Sequence, residues 1–140
     1  MLSCTDRLAI ASQDFLILCG RVMLGWIFVE SGWGKLMNLP AFAKGLAPVP
    51  SVLGYIAAPV EFVGGVCILL GLATRYAALA ILAFTIVATL MRHRYWEFTG
   101  AQYRAQSGQF WKNVSIMGGQ LLLLVTAGGR YSIDALLRRR

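Results

Sequence analysis

Four runs of apolar residues, each close to the length that a helix needs to cross a bilayer, dominate the chain. They lie at about residues 14–37, 52–72, 74–93 and 111–129. A bilayer core of about 30 Å requires about 20 apolar residues in an α-helix. A transmembrane β-barrel would instead show many alternating segments of about ten residues. The pattern therefore predicts an all-α fold, an integral membrane bundle of four transmembrane helices in a single domain over residues 1–140.

The three connections between the runs differ in length and character. The first contains Pro40, Pro48 and Pro50, which break helices, and it leaves room for one or two helical turns in the membrane interface. The second, residues 71–76, is so short that the second and third helices must be antiparallel neighbours. The third, residues 92–112, is the long connection, and it interleaves cations with aromatic side chains.

Composition agrees with a membrane protein. Hydrophobic residues make up 58% of the chain and charged residues only 14%, whereas soluble domains average about 45–50% and about 25%. In a soluble protein, the net charge of +7 would favour nucleic acid as a partner. Here the basic residues lie mostly between the apolar runs and at the C-terminus, where they anchor helices to lipid headgroups. We therefore expect the lipid bilayer as a partner and no nucleic acid.

The sequence contains no self-contained catalytic or metal-binding motif. Cys4, Cys19 and Cys67 are isolated, with no Cys-x-x-Cys pair, and His93 is the single histidine. Phosphate-binding, dinucleotide-binding and Ser-His-Asp patterns are absent as well. We therefore expect no metal site and no intrinsic cofactor.

Three charged residues inside the apolar runs are costly, and they are the first candidates for function. Arg21, Glu30 and Glu61 would each cost roughly 2.5–3.5 kcal/mol at the centre of a membrane helix. Glu61 lies in the middle of the second run, one turn from Ala57 and from Gly65. This small face lets another helix approach, so we expect Glu61 in a helix–helix seam. Its carboxyl either carries a proton or holds a polar ligand head group, or it forms an interhelical ion pair that fixes the bundle.

The other charges in the first run have structural interpretations beside functional ones. Glu30 and Lys35, flanked by tryptophans, are expected near the membrane border, where they anchor the helix. Arg21 snorkels, pairs with Asp14, or reaches Glu61 from a neighbouring helix, and the sequence leaves these alternatives open.

Two further polar residues are candidates, one just past the third run and one within the fourth. His93 lies just past the third run, beside Arg92 and Arg94. A neutral imidazole there passes protons or hydrogen-bonds a quinone carbonyl, or it is simply an interfacial side chain. Gln120, in the fourth run, is expected to hydrogen-bond a partner helix.

Five motifs together resemble the DoxX family of small bacterial membrane proteins. They are Arg21-Val-x-x-Gly25, Gly32-x-x-Lys35, Pro59-Val-Glu61-Phe-Val-Gly64-Gly65, Gly71-Leu-Ala-Thr74-Arg75 and Ala88-Thr-x-x-x-x-His93. The resemblance covers about residues 16–129, and it implies a four-helix bundle in the bacterial inner membrane. It carries over as family-like positions Lys35, Glu61, Gly64, Gly65, Arg75 and His93.

The resemblance also implies a range of functions. Some members are associated with a small subunit of a quinone-reducing thiosulfate oxidoreductase, and others with membrane-associated oxidative-stress complexes. We accordingly expect an accessory subunit that is quinone-linked or handles protons, in which quinone and a partner oxidoreductase subunit supply any redox step. Glu61 is the expected buried acid, and Arg75, Lys35 and His93 frame a head-group site near one interface.

Two other functional classes stay open from the sequence. One is a non-catalytic scaffold that gathers partners or lipids, and the other is a small-solute transporter lined by Glu61 and Gln120. Glu30 and Arg21 are further ligand-binding candidates, and a homo-oligomer is a further candidate assembly. The numbers of positive charges on the two sides of the membrane are nearly equal, so the positive-inside rule does not decide the orientation. We favour a multi-pass protein with both termini in the cytoplasm.

Overall fold

The structure, a computed structural model, describes residues 3–139, and within them every regular element is a helix. The helices are α1 (Cys4–Met37), α2 (Leu39–Lys44), α3 (Ser51–Leu70), α4 (Thr74–Arg92), α5 (Gly100–Thr126) and α6 (Ile133–Leu137), with a 3-10 turn at Tyr95–Glu97 between α4 and α5. The four long helices α1, α3, α4 and α5 pack together as an antiparallel bundle, and α2 lies against α3. The predicted all-α fold is confirmed.

Three helical stretches are long and apolar enough to cross a bilayer: Cys4–Met37, Ser51–Leu70 and Thr74–Glu97. An all-α membrane protein is therefore confirmed, but the count of four spanning helices is not, because α5 does not qualify. The apolar part of α5 is preceded by Lys112 and Asn113 and interrupted by Gln120. These polar residues lower its mean hydropathy below that of the other three stretches.

The start of α5 differs from the prediction. The helix begins at Gly100, so much of the long third connection, residues 92–112, is helix rather than loop. Aromatic side chains join this extension to the 3-10 turn: the ring centre of Tyr95 lies 5.2 Å from that of Phe110, edge to face. The aromatic residues of the expected loop thus pack on one another across a helix and a turn.

The start of α1 also precedes its apolar run. The helix begins at Cys4 rather than near residue 14, and Ser3 and Asp6 form a capping box at its first turn. The apolar pattern did not reveal this extension because the side chains of its first residues are exposed and mixed in polarity.

Glycines bring α1 and α3 into backbone contact. A Cβ atom added to Gly32 would lie 2.7 Å from the backbone nitrogen of Phe62, and one added to Gly65 would lie 2.8 Å from that of Val29. Gly25 makes a similar approach near the end of α3. The small face expected around Glu61 therefore packs directly against α1.

A C-terminal clasp, defined here as residues 128–137, closes one end of the bundle. Arg21 is only 2% exposed, and its guanidinium donates to the carbonyl oxygen of Gly128 at 2.9 Å and to that of Tyr131 at 2.7 Å. These bonds tie α1 to the chain that follows α5. Arg21 is therefore held at this end by backbone carbonyls.

The clasp also caps α4. The carboxylate of Asp134 accepts hydrogen bonds from the backbone nitrogens of Ala73 and Thr74 at 2.7 and 2.8 Å, and from Thr74 Oγ1 at 2.8 Å. Ala73, the N-cap residue, has no side chain that can cap the helix. A carboxylate sixty residues later in the chain therefore satisfies two of the free N–H groups of this helix terminus.

Candidate functional site

An ion pair between α1 and α3, with a buried carboxylate and a partly exposed ammonium group, is the centre of the candidate site. Lys35 Nζ donates to Glu61 Oε2. The whole Glu61 residue is 4% exposed, and the side chain of Lys35 is 28% exposed. Of the two interpretations of Glu61, an interhelical ion pair is what the structure shows, and the pair also faces a cavity.

The glycine contact between the helices explains why these two side chains meet. Gly32 lies against Phe62, so Lys35, about one turn further along α1, reaches the residue that precedes Phe62. Glu61 is ten residues into α3, which corresponds to about 15 Å from the start of that helix. The pair therefore lies well inside the spanning part of the molecule.

A cavity of about 670 Å³ extends from this pair toward the end of the bundle opposite the clasp. Its volume lies within the range of about 300–1,000 Å³ typical of small-molecule sites. The walls come from α1 to α4 and are mainly apolar, and they include Phe28, Phe42, Leu46, Ile56, Phe84 and Met91. The rings of Phe42 and Phe84 lie 5.5 and 5.9 Å from Lys35 Nζ, close enough for cation–π attraction.

The cavity opens sideways between α3 and α4. Val60 and Val87 line it, yet they are 39% and 55% exposed, so they lie on the outer surface of these helices. On the other side of Glu61, Gly64 meets Ile81, and this contact closes the gap between α3 and α4. The opening therefore faces the bilayer rather than the clasp.

Basic and polar residues surround the outer end of the cavity. Arg92, His93, Lys112 and Asn113 line it there. His93 Nδ1 lies 2.8 Å from Gln106 Oε1, in a hydrogen bond to the extension of α5. The site thus combines an ion pair at its inner end, apolar walls and a basic rim.

The structure separates the predicted head-group residues. Lys35, Glu61 and His93 line one cavity, but Arg75 lies at the opposite end of α4, where its guanidinium donates to the carbonyl oxygen of Val125 at 3.2 Å. Arg75 and His93 are eighteen positions apart, which along a helix corresponds to about 27 Å. The expectation that Arg75 frames the same site is wrong, because a whole spanning helix lies between the two.

Two other candidates from the first run lie elsewhere. Arg21 reaches neither Glu61 nor Asp14; it is held in the clasp, while Asp14 accepts from the backbone nitrogen of Arg130 at 2.8 Å. Glu30 is on the exposed surface of α1, level with the middle of α3 rather than at the membrane border.

Gln120 is fully buried but does not line the cavity, and neither of its amide atoms has a hydrogen-bond partner within residues 3–139. Glu61 and Gln120 therefore do not line a common cavity in this structure. In the part of the chain that the structure describes, no three His, Cys, Asp or Glu side chains are grouped to hold a metal ion.

Lys112 and Asn113 are site residues that the sequence did not indicate. Both belong to α5, at the start of the fourth apolar run, and Asn113 Nδ2 donates to Thr89 Oγ1 at 2.9 Å. Their signal was weak because they stand at the start of an apolar run, where polar residues are common at membrane borders.

Fold and site together define a class: a small multi-pass helical membrane protein with a lysine–glutamate pair at the inner end of a laterally open cavity. The DoxX family profile matches residues 16–94, more than half of the chain. The chain belongs to the DoxX family.

Individual relatives agree with this assignment. The chain is 33% identical to inner membrane protein YphA of Escherichia coli over 128 residues, which cover 89% of the chain and 91% of that protein. It is 32% identical to inner membrane protein YqjF of the same organism, over 91% of the chain and 96% of that protein. It is also 32% identical to a putative oxidoreductase, CatD of Bacillus subtilis, over 51% of the chain and 54% of that protein. No solved structure matches the chain.

Proposed function

We propose that this inner-membrane protein is a subunit that binds the polar head of a lipid-soluble quinone beside the Lys35–Glu61 pair, and that it serves a partner oxidoreductase subunit. One observation carries the proposal: an ion pair stands at the inner end of an apolar cavity that opens toward lipid. A molecule with a polar head and a long apolar tail matches these two environments.

The hydrogen-bonding capacity of the pair fits such a head group. An ammonium group has three donor hydrogens, and in this structure Lys35 uses one of them on Glu61. The remaining donors suit a carbonyl oxygen that enters the cavity. Burying an ion pair is costly unless its remaining sites are hydrogen-bonded, so a polar ligand would also stabilise the pair.

Each residue would have a distinct role toward the ligand. A bound quinone supplies two-electron, two-proton redox chemistry. Lys35 would donate a hydrogen bond to a carbonyl oxygen, and Glu61 would hold a proton at its carboxylate. Phe42 and Phe84 would contact the ring from the side of Lys35, and the apolar walls would contact the tail.

The comparisons support this direction at a coarser level. The names of the two inner-membrane relatives carry no activity, and the putative oxidoreductase matches about half of the chain. Because about half of the chain matches a relative that is named a putative oxidoreductase, we favour a role in a redox reaction. A partner subunit would supply the electrons.

Quinone binding to purified protein in detergent tests the proposal. We expect Glu61→Gln and Lys35→Met to weaken binding by at least about tenfold, since a hydrogen bond to a charged group contributes about 1.5–3 kcal/mol. Arg75→Gln is the matched control, because it removes a charge at the other end of α4, and its affinity should equal that of the unaltered protein.

Thermal unfolding of each variant separates a local effect from a failure to fold. Weaker binding by a variant that unfolds cooperatively supports the proposal. Equal binding by Glu61→Gln, Lys35→Met and the control, or no quinone binding by the unaltered protein, contradicts it and favours the scaffold class.

A further inference from the structure

The outer surface of α1 carries a regular stripe of residues that the rest of the described chain leaves uncovered. We call it the α1 outer stripe, and its members are Leu16, Cys19, Met23, Trp26, Glu30, Trp33 and Met37. Their spacing alternates between three and four residues, which is the heptad pattern of helices that pair side by side. Six of the seven are exposed and Cys19 is partly exposed.

This surface is opposite to the one that α1 buries. Gly25, Phe28 and Gly32 face α3 and the core, and at 100° per residue Glu30 lies on the other side of the helix. Met23 is 75% exposed and Met37 is 68% exposed. The fold therefore leaves a complete helix face available from one end of α1 to the other.

Glu30 lies at membrane depth on this face. Its neighbour Val29 is level with Gly65, and Gly32 is level with Phe62, so Glu30 is level with the middle part of α3. The lipid-facing surfaces of α3 and α4 carry charges only at or beyond their ends, whereas Glu30 is surrounded by apolar side chains. Within residues 3–139, no side chain donates a hydrogen bond or a salt bridge to it.

An exposed carboxyl at this depth is costly, and ionisable groups inside membranes almost always have partners. The stripe itself offers them. A carboxyl in its acid form is both donor and acceptor, and the indole N–H groups of Trp26 and Trp33 are donors one turn to either side. Because the acid form both donates and accepts and the indoles add further donors, a second copy of the same stripe supplies the partners that Glu30 lacks within residues 3–139.

We propose that two copies of this chain pair through their α1 outer stripes, with the two Glu30 carboxyls hydrogen-bonded to each other at the centre. Both copies share one orientation in the membrane, so a two-fold axis along the bilayer normal brings equal residues together. A single polar residue at a core position of a helix pair fixes register and stoichiometry. The pairing surface lies away from the cavity, so this inference goes beyond the quinone site and does not depend on it.

Two leucine substitutions at open glycines give a matched test. Gly34 adjoins Glu30 on the outer surface of α1, and Gly118 lies on α5; a Cβ atom at either position meets nothing within 4 Å. Dye-labelled full-length protein is diluted in liposomes of bacterial lipid, and dimers are counted by single-molecule photobleaching. We expect Gly34→Leu to lower the association constant by at least about tenfold, because its bulk separates the helices, and Gly118→Leu to leave it unchanged.

Variants of Glu30 test the hydrogen bond itself. Glu30→Gln retains a donor and an acceptor and should preserve dimers, whereas Glu30→Leu removes both and should reduce them. Unaltered protein that stays monomeric, or dimers that survive Gly34→Leu and Glu30→Leu, would overturn the proposal.

Cross-linking locates the interface. With Cys4, Cys19 and Cys67 replaced by alanine, Met37→Cys should form a disulfide-linked dimer on oxidation in liposomes. Leu122→Cys, on the exposed surface of α5, should not. A dimer cross-linked through position 122 and not through position 37 would place the contact on another helix and would refute this interface.

Discussion

Gly71 shows how one residue can both end a helix and accommodate a buried charge. It ends α3 with a left-handed backbone, at a φ of 69°, which costs a residue with a side chain about 1–2 kcal/mol. A Cβ atom there would also overlap Nη1 of Arg21 and lie 2.5 Å from Cβ of Ser132. The space beside this glycine is what lets Arg21 reach the clasp.

We therefore expect Gly71→Ala to lower the free energy of unfolding by at least about 2 kcal/mol, from backbone strain and overpacking together. Thermal unfolding in detergent measures the effect. Gly20→Ala is the control, since a Cβ atom there meets nothing within 4 Å. Equal melting temperatures for the two variants would show that Arg21 moves aside at no cost.

The candidate residues could be found in the sequence, but their partners could not. Glu61 was evident as a charge inside an apolar run. Its partner Lys35 depends on the register of α1 against α3, which Gly32 and Phe62 determine through a contact between residues thirty positions apart. The grouping of Arg75 with His93 failed for a simpler reason, since residues at the two ends of one spanning helix cannot share an interface.

At the scale of elements, apolar runs predicted the apolar parts of the helices and missed their polar extensions. α3 and α4 agree with the runs to within a few residues. α5 begins at Gly100 because its polar first turns form a helix that packs aromatic side chains on the 3-10 turn. These first turns contain no continuous apolar run, so the pattern that predicts membrane-spanning helices does not include them.

The close packing of α1 on α3 makes Gly65→Leu a severe change. Even the first atom of the new side chain, its Cβ, would lie only 2.8 Å from Cβ of Phe28 and from the backbone nitrogen of Val29. We expect a loss of several kcal/mol, at or above the cost of about 1–3 kcal/mol usual for overpacked cores. Thermal unfolding measures it, with Gly118→Leu as the control; an unchanged melting temperature would mean that the two helices do not touch there.

At the scale of the whole molecule, the two ends of the bundle are built differently. The clasp holds α1 through Arg21 and α4 through Asp134, so one end is closed by hydrogen bonds. The other end contains the cavity and its basic rim. The sequence did not predict the clasp, and it predicted the residues of the cavity end only in part, because both ends depend on contacts between distant parts of the chain.

Asp134 gives the clasp a dependence on pH. Burial raises the pKa of its carboxyl, but hydrogen bonds from Thr74 and Ala73, with Arg138 nearby, outweigh burial and lower the pKa below its ordinary value of 3.8. A carboxyl whose pKa is lower in the folded state stabilises the fold above its ordinary pKa, and this contribution is lost as the pH falls through the folded-state pKa.

We therefore expect Asp134→Asn to be less stable than the unaltered protein at pH 7, and the difference to shrink as the solution is acidified below about pH 4. Thermal unfolding at a series of pH values in detergent measures this. Glu97→Gln is the matched control, because it makes the same change from carboxyl to amide in an exposed ion pair, which contributes little. A stability difference for Asp134→Asn that is the same at every pH would rule out the carboxylate as the source.

The sideways opening between α3 and α4 determines how a ligand would be delivered. A ligand that enters there diffuses in two dimensions within one leaflet and never has to leave the hydrocarbon core of the bilayer. Occupancy would then follow the mole fraction of the ligand among the lipids, and its concentration in the surrounding water would matter only through partitioning.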